Sequence, residues 1–146
     1  MFKKIIQTSV LVGVLSATTS VAVAGAFYAG YCTWGVAQVK GNGWLPWSGD
    51  AQDWCKTAQK AAKDMGKKAD FSVNFKEKVG AIVVFPGWKA NPLGHVGIIT
   101  KSGVMKSMND LDGKYNWTYN RAISGFPKKA SPVKPSCYIY YNMNKI

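Results

Sequence analysis

Near residue 70 the spacing of apolar residues changes from the period of a helix to that of a strand, and this switch narrows the available folds more than any other feature. Upstream, residues 50–65 place Trp54, Ala58, Ala61 and Met65 on one helical face, with Lys56, Lys60 and Lys63 elsewhere. Ser48 and Asp50 are both acceptable N-caps, and Gly66 supplies a stop. A shorter helix is expected over residues 32–39, opened by a turn at Gly30-Tyr31, with turn-rich "KGNGWLPWSG" following it. Downstream, "VGAIVVFP" (79–86) is a compact apolar run closed by proline, the mark of a buried strand. "GHVGIIT" (94–100) and "VMKSMN" (104–109) flank Lys101-Ser102-Gly103 as a hairpin would. "KYNWTYNRAI" (114–123) and "CYIYYNM" (137–143) alternate aromatic and polar residues, and "FPKKASPVKP" (126–135) reads as one loop before the last strand. Helices first and an antiparallel sheet after make an α+β domain, with the helices covering one side of the sheet.

The first 26 residues read as an export signal. Lys3 and Lys4 give a positive start, residues 5–14 are mostly apolar, and residues 17–26 are rich in small side chains. Ala22-Val23-Ala24 and Ala24-Gly25-Ala26 both suit a signal peptidase. The apolar stretch is short for a membrane anchor, which wants about 20 residues. Cleavage leaves residues 27–146 as a single domain, in the periplasm or outside the cell, with all six Trp between Trp34 and Trp117 to build its core.

The whole chain carries 19 basic and 7 acidic residues. Without Lys3 and Lys4 the balance is 17 to 7, a net charge near +10. Arg121 is the only arginine, whereas specific readers of nucleic acid lean on bidentate arginine, so a specific nucleic-acid partner is not expected. A diffuse lysine surface suits an anionic cell wall or membrane face, and equally a solvated surface with no partner.

Two residues stand out for chemistry. Cys32 opens the first helix, where free N–H groups and the helix dipole lower a thiol's pKa and can bind an oxyanion. His95 is the only histidine, at the start of a strand between Gly94 and Gly97. A lone histidine is usually structural. At a sheet rim beside a cysteine it also suits proton transfer in acyl chemistry. Three cysteines leave one thiol over if two pair. A Cys55–Cys137 bridge frees Cys32, Cys32–Cys55 or Cys32–Cys137 silences it, and reduced core cysteines remain an alternative. Tyr31, directly before Cys32, argues against a lipoprotein anchor, which needs a small residue there.

Four blocks, "GYCTW" (30–34), "GDAQDW" (49–54), "VGAIVVFP" and "GHVGII" (94–99), resemble successive parts of the CHAP domain, the cysteine, histidine-dependent amidohydrolases/peptidases of the papain-like group. The resemblance extends over residues 28–143. It implies cleavage of amide bonds in peptidoglycan, either the N-acetylmuramoyl-L-alanine bond or one within the stem peptide, without metal or organic cofactor. It sets Cys32 as nucleophile and His95 as general base, with Tyr31 and Cys32 at the oxyanion region and Trp34 and Trp54 framing the cleft. The chain departs from the family at Tyr31, where Gln is common, and at Ser107, where Glu is common, while Asn109 falls at the family's Asn position. Asn109 is expected to orient His95, with Asp110 in reserve and Ser107 assisting. A three-residue hairpin loop places Asn109 opposite His95; a two-residue turn would bring Asp110 there instead.

The expected protein is thus a monomeric, exported peptidoglycan amidase or endopeptidase, and an immunity protein becomes a partner only if its role is to attack neighbours. The main rival is a weakly active or inactive member acting as a wall-binding or interaction module. A basic protein that disrupts membranes is a third reading.

Overall fold

A computed structural model describes residues 27–146, so the stretch read as an export signal, with its expected cleavage sites, lies outside the described residues. Helix α1 (Cys32–Gly41) ends at Asn42, whose left-handed backbone (φ 54°) returns its N–H to the Ala37 carbonyl. Helix α2 (Trp54–Met65) follows a 3-10 turn at Ala51–Asp53 and stops at Gly66, φ 56°. The expected cap at Asp50 does not form: its side chain makes no capping hydrogen bond. Instead the Leu93 carbonyl, from the loop before the histidine strand, accepts the Gln52 N–H at 2.9 Å. A tertiary contact thus satisfies a donor that a cap would otherwise take.

The strands are β1 (Ser72–Asn74), β2 (Ile82–Phe85), β3 (His95–Lys101), β4 (Val104–Met108), β5 (Trp117–Ala122), β6 (Pro127–Lys128), β7 (Ser131–Pro132) and β8 (Cys137–Tyr140). Six form one sheet in the order β1-β8-β2-β3-β4-β5, and β6 and β7 form a two-stranded ribbon within the segment read as a loop. Every neighbouring pair of the main sheet is antiparallel. The chain is an α+β domain, as its change of period implies.

The sheet is covered on both faces. Ile82, Val84, Val96 and Ile98 join the helices' Val36, Ala37, Trp54 and Ala58 in one cluster. Val83, Phe85, Ile99 and Met105 point the other way and pack under Ile123 and Phe126. Successive residues of a strand face opposite sides, so β2 must be apolar at every position when both sides are dry, and all four of its residues are buried. Cys55 on α2 is bonded to Cys137 at the start of β8, Cα–Cα 6.0 Å, and Cys32 is free and buried.

The hairpin reaches the expected pairing by a different route. Lys101 pairs with Val104, so the turn has two residues, Ser102 and Gly103. A bulge between Ile99 and Lys101 then resets the ladder to Ile99 against Met105 and Ile98 against Lys106. Asn109 lies just past the end of β4, with a left-handed backbone (φ 55°).

The last turn of α1 carries a fully buried lysine. The Lys40 ammonium donates to the carbonyls of Gly80, Asn142 and Lys145, one for each of its three protons, and Asn142 Nδ2 donates back to the Lys40 carbonyl. Burial, and then the charges of Lys106 and Lys145, pull its pKa down to about 8. None of the helices among the described residues is long and apolar enough to cross a membrane.

Candidate active site

Cys32 is carried by a turn that only glycine allows. Gly30 has φ +83°, and a Cβ there would lie 2.8 Å from the Tyr115 ring, whose backbone N–H donates to the Gly30 carbonyl at 3.0 Å. Tyr31 is extended (φ −94°, ψ 169°) and caps α1 with no side-chain hydrogen bond, so the first N–H groups of the helix stay open. Backbone N–H groups of Val96, Thr33 and Cys32 lie near the sulfur and pull the thiol's pKa down. Val96 directly follows His95, so the start of β3 brings the histidine and this N–H group to the same end of α1.

His95 begins β3 opposite Phe85. The residue before it, Gly94, has φ +76°, and a Cβ there would meet the Phe85 carbonyl at 2.5 Å and the Gln52 nitrogen at 2.8 Å. The strand can therefore start only where backbone closes tightly on the turn before α2. Cys32 and His95 line one cleft of about 570 Å³, together with Tyr31, Asn109, Asp50 and Lys114. The Lys114 ammonium rests over the Tyr31 ring, 4.4 Å from its centroid.

Burial decides the protonation states. It pushes the Cys32 thiol up to about 11, against the lowering effect of the three backbone N–H groups. The depressed thiol expected at a helix start is thus not found, because desolvation outweighs the helix terminus. Burial, and then the positive charge of Arg121, pulls His95 down to about 3. Both shifts run in the direction of a thiol and a neutral imidazole, the latter in the form a general base requires.

The remaining expected site residues are scattered. Asn109 shares the cleft, but it makes no hydrogen bond to His95, whose buried Nε2 has no partner among the described residues. Ser107 is fully buried and donates to Asp110 Oδ2 at 3.4 Å. Asp110 is held by Arg121 Nε at 3.0 Å and not by the imidazole. Neither expected tryptophan lines the cleft. Trp54 is fully buried in the core against Phe27 and Trp47, while Trp34 stacks edge-on against Tyr115. A tryptophan on the inward stripe of an amphipathic helix is committed to the core by that stripe. Among the described residues no group of three His, Cys, Asp or Glu is gathered that could hold a metal ion.

Sequence reasoning missed Phe126, Arg121 and Lys114. Phe126 stacks on the imidazole from a segment whose prolines and lysines read as loop. The one available signal was Arg121 itself, a lone arginine in a lysine-rich chain.

In this α+β domain a free cysteine at a helix start and the sole histidine at a strand start face one cleft. The profile of the CHAP domain matches residues 23–109, and the chain belongs to that family of amidohydrolases and peptidases. The matched span contains Cys32, His95, Ser107 and Asn109, and ends before Asp110 and Arg121. No curated protein and no solved structure matches the chain.

Proposed function

We propose that the protein is an exported peptidoglycan hydrolase that cleaves an amide bond, N-acetylmuramoyl-L-alanine or one in the stem peptide, through a thioester on Cys32. The observation that carries this reading is the shared cleft, which brings Cys32 at the start of α1 and His95 at the start of β3 to one surface. Cys32 Sγ attacks the carbonyl carbon while its proton passes to the imidazole. The carbonyl π electrons move onto oxygen, near the uncapped N–H groups of α1. Collapse breaks the C–N bond, and the amine leaves with the proton from His95. Water, deprotonated by the same imidazole, then attacks the thioester and releases the acid with a regenerated thiol. The lysine-rich surface supplies attraction to an anionic wall.

Two features favour the rival reading, a wall-binding module without turnover: the unpartnered Nε2 and the raised thiol pKa. Release of new amines from purified peptidoglycan separates the two. The hydrolase releases them, and Cys32→Ala or His95→Ala lowers the rate at least about a thousandfold while the fold is kept. Equal release by the alanine variants ends the proposal.

A further inference from the structure

We infer that Phe126 and Arg121 are positioning residues for His95, holding the imidazole by stacking where no hydrogen bond holds its buried nitrogen. The imidazole lies nearly parallel to the Phe126 ring, centroids 5.0 Å apart and planes 24° from each other. Phe126 is itself immobilised. It is 1% exposed and touches Phe85 at 4.4 Å and Trp88 at 5.5 Å between centroids. Arg121 closes the stack, with its guanidinium carbon 5.3 Å from the Phe126 centroid. A guanidinium is planar and stacks while its edge makes hydrogen bonds. Here Nε donates to Asp110 at 3.0 Å and Nη2 donates to the Pro127 carbonyl.

Ser107 and Asp110 occupy the neighbourhood where a polar partner for the imidazole was expected, yet their bonds lead to Arg121. The chain from Ser107 through Asp110, Arg121 and Phe126 ends on the flat face of His95 instead of on its nitrogen. A stack fixes the plane of the ring without demanding a charge. The guanidinium beyond it, a like charge to imidazolium, favours the neutral base. The catalytic consequence rests on the proposed role of His95; the packing does not.

His95 is the only histidine, so its ring proton resonances can be followed without ambiguity by NMR across pH. In the native protein they should lie upfield, under the Phe126 ring current, and show no titration between about pH 5 and pH 8. Phe126→Leu should abolish the upfield shift and cut kcat roughly ten- to a hundredfold with KM kept. Arg121→Gln should raise the His95 titration midpoint, and Arg121→Lys should hold it nearer the native value. Folded Phe126→Leu and Arg121→Gln proteins with native His95 shifts and titration would overturn the inference, whatever their turnover. If Phe126→Leu does not fold, Arg121→Gln decides alone, since its side chain lies at the edge of the core, 19% exposed. A native protein with no hydrolase activity would end the proposed function, and the NMR result would still decide the stack.

Discussion

At the scale of single residues, Cys32 and His95 reach one cleft from restrictive backbone turns. One is preceded by Gly30 at a positive φ, the other by Gly94 at a positive φ, and neither turn tolerates a side chain. Their protonation was not legible. A helix start lowers a thiol's pKa, but how much water the site excludes depends on packing from α1 and β3 together, which spacing does not encode. Burial pushes the thiol up to about 11 and the imidazole down to about 3, and both shifts favour an un-ionised pair at neutral pH. Alkylation of Cys32 by iodoacetamide, followed by intact-protein mass, should therefore be slow at pH 7 and climb steadily to beyond about pH 9. A rate already on a plateau between about pH 5 and pH 8 would mean a preformed thiolate and would contradict this. The family's third residue was unreadable for a related reason. Asp110 has a stronger claimant in Arg121, and a competing partner 11 residues along the chain leaves no trace in a local pattern.

At the scale of elements, the long-period and short-period segments announced α2, β2, β3 and β4, whereas β1 passed unseen. With three residues, one of them exposed, it has no alternation to detect and exists because β8 offers an edge. The hairpin shows how a register can be right on a wrong premise: the turn is one residue shorter than expected, and the bulge restores the missing residue. Lys40 is the clearest case of an element held by something its pattern conceals. It reads as one more surface lysine, yet it ties the end of α1 to the loop before β2 and to the C-terminal segment through three carbonyls. Lys40→Met keeps the apolar stem but leaves those carbonyls without a donor. Chemical denaturation should show a loss of about 2–4 kcal/mol, with faster amide exchange in residues 142–146. A loss under about 0.5 kcal/mol would mean that water takes over the carbonyls and the clasp contributes little.

At the scale of the molecule, the two-sided core explains why the central strand is apolar throughout, and why the segment after β5 is a lid over the second face and not a free loop. That second layer was the least readable part, because Phe126 and Ile123 sit among glycine, prolines and lysines that suggest exposure. The odd cysteine count was more informative. The Cys55–Cys137 bond closes a separation of 82 residues and staples α2 to the sheet while sparing Cys32. Removing it with paired Cys55→Ala and Cys137→Ala substitutions should cost about 4 kcal/mol, read as a lower urea midpoint, with Cys32 chemistry retained at temperatures where the variant is folded. A cost below about 1 kcal/mol would mean that packing alone holds α2 on β8. The central claim, that this framework turns over wall amides at Cys32, is tested most directly by mass spectrometry of the soluble fragments from purified peptidoglycan. The native protein should yield fragments with one new class of amine and acid ends, and Cys32→Ala should yield none. Identical fragment profiles from the two proteins would contradict it.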